Sequence, residues 1–185
     1  NCKNTAEIYS TIGNSGGILG YVGNDDSVTV TATTIGCINT GYVHAEGKNG
    51  NPSLGGIIGS IQGGDEAQVE NSYNKGQIAS TSYTSGNIYH GVGGIVGTVY
   101  NNAANTTNKS KVTISNSYNV GNILNSYSDN NAGQIIGIDY NSESVVTNCY
   151  YTSRVSGKNT YGGTILSFQN MNTATFVNIL NQSET

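Results

Sequence analysis

A short glycine-rich sequence motif, the first of two repeated phrases, occurs four times along this chain, and it constrains the fold more than any other feature. Its copies start at residues 16, 55, 93 and 133, so neighbouring copies begin 38 to 40 residues apart. Self-similarity at a fixed period of about 20–50 residues is typical of solenoids and other repeat arrays. The chain is therefore expected to be built from stacked units. The copies are Gly16-Gly17-Ile18-Leu19-Gly20, Gly55-Gly56-Ile57-Ile58-Gly59, Gly93-Gly94-Ile95-Val96-Gly97 and Gly133-Gln134-Ile135-Ile136-Gly137.

A second phrase alternates with the first. It reads Asn-Ser-Tyr-Asn-x-Gly-x-Ile at residues 71–78 and 116–123, and the same frame fits the stretches that begin at Asn1, Gly36 and Asn148. Because the two phrases alternate in a fixed order, one copy of each makes a structural unit. The chain holds about four and a half such units.

Each unit reads as short β-strands divided by glycine. Apolar and polar residues alternate at 27–31 and 111–115, which is the period of a half-buried strand. The Asn-x-Gly sequence that follows marks a corner, because Asn and Gly tolerate positive φ. No unit contains a helical pattern of about 10–15 residues, so alternating strands and helices are not indicated. Three short strands per unit, closing into one coil, predict an all-β fold, namely a right-handed parallel β-helix of four to five coils.

Stacked coils would place equivalent side chains above one another at about 4.8 Å. One row of amides is expected to bond from coil to coil at the corner. Two apolar rows are expected to face the core, and the row next to the second of them should then point outward, because neighbouring side chains on a strand face opposite sides. The amide ladder consists of Asn4, Asn39, Asn74 and Asn119. The core rows are Ile8, Val43, Ile78, Ile123 and Val155, and Ile18, Ile57, Ile95 and Ile135; the outward row is Leu19, Ile58, Val96 and Ile136.

The repeated phrases end before residue 157, which divides the chain into a β-helix domain over 1–157 and a C-terminal segment over 158–185. A short amphipathic helix is predicted over 173–181. The open end of a β-helix exposes core and unpaired strand edges, so this helix is a candidate cap. The alternative is a linker to a following domain. The apolar residues concerned are Phe168, Met171, Phe176, Ile179 and Leu180, and the N-cap candidates are Asn172 and Thr173.

Composition excludes several function classes. Only 10% of the residues are charged, and a net charge of −4 with seven Lys+Arg argues against nucleic acid and against anionic membrane surfaces. No apolar run approaches the ~18 residues that cross a bilayer, so membrane insertion is not expected. The chain has neither an initiator Met nor a signal peptide, and we therefore expect it to be part of a larger polypeptide.

Cysteine, histidine and acidic residues suggest no catalytic or metal site, so neither an enzyme nor a cofactor is expected. Cys2, Cys37 and Cys149 share one position of the second phrase, as small residues in one ladder. A disulfide between Cys2 and Cys37 meets the distance requirement, but side chains stacked in parallel rarely meet the dihedral requirement, and Cys149 is expected to be free.

His44 and His90 are expected to be ordinary exposed loop residues. The acidic pairs at 25–26 and 65–66 are expected to lie in solvated turns, with a calcium site as the alternative.

Tyrosines are the surface feature best suited to binding. Tyr83, Tyr89, Tyr100 and Tyr127 lie in insertions outside the repeated phrases. Exposed aromatic rings beside Asn amides suit contacts with a glycan or a protein. The alternative is that the rings cover their own loops against the coil. The insertions, which in solenoids often collect on the binding face, span 44–53, 79–91, 100–110 and 124–131.

Together the two phrases resemble the GLUG motif of bacterial surface proteins, which pairs Gly-Gly-Leu/Ile-Val-Gly with a following Asn-Ser-Tyr-x-x-Gly-x-Val. The resemblance covers roughly residues 1–155 and departs at Lys3, Ile38 and Gln134. It implies a large secreted or wall-anchored, adhesin-like protein. Some immunoglobulin A proteases carry similar repeats outside their catalytic domain. The resemblance implies no catalytic residues.

We therefore expect a non-catalytic extracellular module of a bacterial cell-surface protein. Its partner would be a host or environmental glycan or protein surface, or else the module would serve as a rigid stalk. One alternative is an accessory β-helix of a larger secreted enzyme, such as a surface protease. Another is a carbohydrate-active β-helix, which would need neighbouring carboxylates; the acidic residues form no such in-register cluster.

Overall fold

The structure is a computed structural model in which parallel β-strands dominate. It describes residues 1–23, 28–46, 52–81, 90–101, 108–125, 131–140, 143–152 and 161–181. Over these ranges the chain has two helices, both short and both near the C-terminal end. Neither is long and apolar enough to cross a membrane.

Each of the first four repeats contributes five short strands in the same order. The first gives β1 (Lys3–Asn4), β2 (Ile8–Ser10), β3 (Ser15–Gly16), β4 (Leu19–Val22) and β5 (Thr31–Ile35). The second gives β6 (Ile38–Asn39), β7 (Val43–Ala45), β8 (Leu54–Gly55), β9 (Ile58–Gln62) and β10 (Glu66–Glu70). The third gives β11 (Tyr73–Asn74), β12 (Ile78–Ser80), β13 (Val92–Gly93), β14 (Val96–Tyr100) and β15 (Lys111–Ser115). The fourth gives β16 (Tyr118–Asn119), β17 (Ile123–Asn125), β18 (Ala132–Gly133), β19 (Ile136–Asp139) and β20 (Val145–Thr147), and the fifth gives β21 (Tyr150–Thr152) and β22 (Thr164–Leu166).

These strands form five parallel sheets, and each sheet takes one strand from each of the first four repeats. The first sheet has the order β1-β6-β11-β16-β21-β22, and the other four sheets have four strands each. The prediction of three strands per repeat is wrong, because the glycine and asparagine corners divide the chain into strands of two to five residues. The parallel stacking of successive repeats is consistent with a parallel β-helix.

Two hydrophobic clusters form the core. The smaller one contains Val43, Ile78 and Ile123, which pair in register and extend to the half-buried Ile8, as predicted. Val155 lies outside the described residues. The larger cluster contains both of the adjacent rows that follow the two glycines, so the expectation that one of them points outward is wrong. Its fully or nearly fully buried members include Ile57, Ile95 and Ile135 from one row and Ile58, Val96 and Ile136 from the other.

A bend explains why both rows are buried. β9 and β14 begin at Ile58 and Val96, so the preceding isoleucine stands before the strand, at the corner made by the two glycines. Alternation between the two faces holds within a strand and does not extend across a bend. Each pair of neighbouring residues can therefore face the same core.

Glycine is required in two columns where successive repeats approach closely. A Cβ on Gly94 would overlap the carbonyl oxygen of Gln134 in the next repeat, and a Cβ on Gly76 would overlap that of Gly41 in the preceding repeat. Two positions depart from these columns. Ala6 stands where later repeats have Gly41, Gly76 and Gly121, and Gln134 stands where earlier repeats have Gly17, Gly56 and Gly94.

Positive φ occurs at a different corner position from the one predicted. Asn71, Asn116 and Asn148 have φ of 50°, 49° and 51°, and Gly36 has 62°. All four open the second phrase, whereas Gly76 in the Asn-x-Gly segment is not in the left-handed region. Close approach, rather than backbone conformation, requires glycine at the second corner.

One of the two predicted strands is displaced. The strand expected at 27–31 begins at Thr31 as β5, which pairs in register with β10. Val28 and Val30 are exposed at 68% and 44%. Pairing with the next repeat, rather than local alternation, sets where this strand begins. The strand expected at 111–115 coincides with β15.

Two helices, α1 (Phe168–Met171) and α2 (Ala174–Asn181), follow β22. Thr173 caps α2 as predicted, because its Oγ1 accepts a hydrogen bond from Phe176 N at 3.2 Å. Phe176 is the buried residue of α2, and its ring contacts the outward rings of Tyr118 and Tyr150 edge-on. The helix therefore packs against the outer face of the first sheet.

That this helix caps the end of the stack stays a prediction, and the ring contacts of Phe176 are with the outer face of the first sheet. Tyr161 packs against the larger core cluster, and Gly163 lies so close to Ile135 and Tyr151 that a Cβ there would meet them at 2.7 Å and 2.9 Å. Tyr161 and Gly163, just before β22, thus lie against the core, whereas α2 lies against the outer face of the first sheet. The domain boundary at 157 lies outside the described residues and stays a prediction.

Candidate functional site

The asparagine ladder runs unbroken through four repeats. Asn4 Nδ2 donates to Asn39 Oδ1, Asn39 Nδ2 to Asn74 Oδ1 and Asn74 Nδ2 to Asn119 Oδ1, each at 2.8 Å. Each amide also bonds to the backbone N–H and C=O two residues further on. In Asn39 and Asn74 both N–H groups donate and the oxygen accepts twice, which uses the full capacity of the amide. The ladder locks this corner in register.

Next to the ladder lies an outward row of aromatic rings, the tyrosine row, formed by Tyr73, Tyr118 and Tyr150. Each lies on the first sheet beside buried residues, so alternation along the strand turns its ring toward the surface. The rings of Tyr73 and Tyr118 stack with centroids 4.8 Å apart and 8° between planes. Burial, together with the neighbouring Tyr73, raises the pKa of Tyr118 to about 12. Its phenol therefore stays neutral at physiological pH.

A groove lies between the tyrosine row and the C-terminal helices, with a volume of about 360 Å³. Lys75, Tyr118 and Val120 line it from the repeats, while Met171 and Val177 are among the residues that line it from the helices. The Lys75 ammonium lies 5.1 Å from the ring centroid of Tyr73, within cation–π distance. Among the described residues that line the groove there is no carboxylate. We refer to this site below as the tyrosine groove.

Tyr100, the predicted binding tyrosine that the structure describes, does not line this groove. Tyr100 ends β14, is half-buried, and meets Tyr140 edge-on at a centroid distance of 5.7 Å. Tyr83, Tyr89 and Tyr127 lie outside the described residues, so their role in binding stays a prediction.

His44 is not the exposed loop residue that was expected. It lies in β7, is 7% exposed, and stacks on Tyr42 with ring centroids 4.1 Å apart. Its Nε2 donates to Glu7 Oε1 at 2.6 Å, and its Nδ1 lies 3.8 Å from a Glu46 oxygen. The residue belongs to a strand because it holds the register position between Tyr9 and Ala79.

His90 and Asp65 are also more buried than expected. Burial lowers the pKa of His90 to about 4, and its Nδ1 has no hydrogen-bond partner. Asp65 is fully buried, and its Oδ1 accepts a hydrogen bond from Val30 N at 2.5 Å, so the expected solvated turn is wrong there. Residues 25–26 lie outside the described part of the chain. Among the described residues, no group of three His, Cys, Asp or Glu could hold a metal ion.

The cysteine position forms a row of small side chains, as predicted. Cys37 N donates to Ser72 Oγ at 3.0 Å, and Ser72 N donates to Ser117 Oγ at 3.2 Å. All three cysteines are free, with Cys2 exposed and the other two buried. Burial raises the pKa of the Cys149 thiol to about 11, which keeps the thiol protonated and unreactive.

No family model, no curated protein and no solved structure matches this chain.

Proposed function

We propose that this chain is a right-handed parallel β-helix of the GLUG type. In this proposal it serves as a non-catalytic, extracellular module of a bacterial cell-surface protein. Its role is adhesion: a stiff stack of repeats holds a binding surface in place for a glycan or a protein of the host or environment.

One observation carries the proposal, namely that a fully bonded asparagine ladder lies beside outward aromatic rings. The ladder bonds join four repeats side chain to side chain, and the amides have no spare capacity at Asn39 and Asn74. Tyr73 and Tyr118 stand one residue before ladder asparagines on the same strands. Because their backbone is fixed, the rings offer contact area at a low cost in conformational entropy.

The charge distribution supports binding rather than catalysis. The described residues hold no cluster of three His, Cys, Asp or Glu for a metal ion, and those that line the tyrosine groove include no carboxylate that could act as a general acid or base. A hydrolase acting on polysaccharides would use paired carboxylates. The alternating repeat phrases support the bacterial surface assignment through their resemblance to the GLUG motif.

Adhesion can be tested with beads coated with the full chain. We expect saturable binding of the beads to immobilised glycans or immobilised extracellular-matrix proteins, and no release of new reducing ends from any polysaccharide. Beads coated with heat-unfolded chain are the control. Absence of binding to both kinds of surface, or turnover of a polysaccharide, would contradict the proposal.

A further inference from the structure

The two walls of the tyrosine groove differ in how firmly they are held. Lys75 lies between a ladder asparagine and a glycine of the close-packed column, and its backbone N–H donates to Asn39 O at 2.8 Å. The helix wall is attached by the Phe176 ring and by Asn148. Nδ2 of Asn148 donates to the carbonyl oxygens of Ile179 and Leu180 at 3.3 Å and 3.2 Å. The backbone that carries Lys75 is thus held within the stacked repeats, whereas the opposite wall is attached through a ring contact and two hydrogen bonds.

The lining of the groove is largely apolar. Val177 is 54% exposed, and Met171 and Val120 are half-buried, so apolar surface faces water inside a concave site. Thr173 lines the groove too, but its hydroxyl already donates to Asn170 O and accepts from Phe176 N. Sugar rings need many hydrogen bonds, whereas apolar side chains suit such a lining.

We propose that the tyrosine groove binds a short acidic, apolar peptide segment of a protein partner. The proposal rests on the adhesion function and selects protein over glycan as its target. Lys75 is the one charged residue among the described residues that line the groove, so a carboxylate on the partner complements it. α2 has eight residues and spans about 12 Å at ~1.5 Å per residue, a length that about four extended residues match at ~3.3 Å each.

Fluorescence anisotropy with a fluorescein-labelled Leu-Val-Glu-Leu peptide tests this proposal on the full chain. We expect saturable binding that weakens at least about tenfold in Val177→Asp, which places a like charge and a polar group in the groove. Asn178→Asp is the matched control, because Asn178 is exposed on the same helix and does not line the groove. It should change the dissociation constant by less than about twofold.

The charge requirement is tested separately. Lys75→Met keeps the aliphatic stem and should weaken binding about fivefold, as should replacing Glu by Gln in the peptide. Lys3→Met, on the same sheet but outside the groove, should leave binding unchanged. Circular dichroism checks that each variant is folded.

Three outcomes overturn the proposal: no binding of the peptide, equal binding by Val177→Asp and the parent chain, or binding that does not depend on Lys75. Saturable binding of an oligouronate with the same Lys75 dependence, with the peptide silent, overturns it in favour of an acidic glycan. In that case the adhesion function still stands. Failure of the coated beads on every surface, by contrast, removes the adhesion function itself.

Discussion

The interior repeats and the C-terminal helices are attached to the molecule in opposite ways. Interior repeats are joined by parallel strand pairing, by the asparagine ladder and by glycines with no room for a side chain. The described contacts of the helices with the repeats include one buried ring, Phe176, and the amide of Asn148. The stability of the repeats therefore comes from many equivalent contacts, whereas the position of the helices depends on a few. The expected effects of substitution should therefore differ sharply between the two regions.

The largest effect is expected for Gly94→Ala. The new Cβ would overlap the backbone of the next repeat, which cannot yield without breaking the register, so we expect a loss of at least about 3 kcal/mol in the free energy of unfolding. Gly13→Ala is the matched control, since the nearest heavy atom to its Cβ is Ser10 Oγ at 3.5 Å. Urea denaturation followed by circular dichroism measures both. Equal midpoints for the two variants would refute the close packing of the interior repeats.

A smaller loss, about 3 kcal/mol or less, is expected for Asn74→Ala. The substitution removes four hydrogen bonds that Asn74 makes to buried groups of three repeats, namely to the amides of Asn39 and Asn119 and to the backbone of Gly76. Asn4→Ala, at the half-buried end of the same ladder, should cost about 1 kcal/mol, because water can replace the lost bonds. The urea midpoints of Asn74→Ala and Asn4→Ala measure this difference. An equal loss of unfolding free energy in Asn4→Ala and Asn74→Ala would contradict the difference between the half-buried end of the ladder and its buried middle.

Acid should weaken the repeats through His90. Its pKa is about 4 in the folded chain, whereas the usual value is about 6.5, so below pH 6.5 the unfolded chain binds a proton that the folded chain does not. Stability is therefore expected to fall as the pH drops from about 6.5 to about 4. The difference in unfolding free energy between the parent chain and His90→Gln, measured across this range, isolates the effect. A difference that does not vary with pH would contradict it.

The smallest effect on the repeats is expected for Phe176→Ala. When a helix can detach while the rest of the protein stays folded, a substitution in that helix lowers the stability of the rest by no more than the free energy with which the helix docks. We expect the helical circular dichroism signal to fall while the unfolding midpoint of the repeats shifts by less than about 0.5 kcal/mol. Val177→Ala, at an exposed position on the same helix, should preserve the helical signal. A large drop in the midpoint would show that the helices and the repeats form one cooperative unit.

The spacing of repeated phrases was enough to predict parallel stacking and the asparagine register, because identical phrases select identical backbone positions. Bends could not be foreseen in the same way. Ile57 and Ile58 share the core because the backbone turns between the glycines and the strand, and alternation alone assigns them to opposite faces. The local sequence predicts a solvated turn at Asp65, and it cannot reveal the hydrogen bond from Val30 N, which joins two different repeats.

The tyrosine row was present in the repeated phrase itself and could have been found. Because Asn74 and Asn119 point inward, the preceding Tyr73 and Tyr118 must point outward on the same strands. The insertions, by contrast, predict binding at Tyr83, Tyr89, Tyr100 and Tyr127. The groove could not be predicted, because it depends on where α2 docks. An amphipathic pattern predicts which face of a helix is buried, but it does not indicate the surface against which that face packs.

The two departures from the glycine columns mark where the close glycine stacking stops. Ala6 and Gln134 carry side chains at positions where the interior repeats tolerate no Cβ. A repeat stacked on either side chain would meet a methyl group or a longer chain where its own carbonyl oxygen lies in the interior repeats. The tightest backbone contacts are therefore confined to the repeats between these two residues.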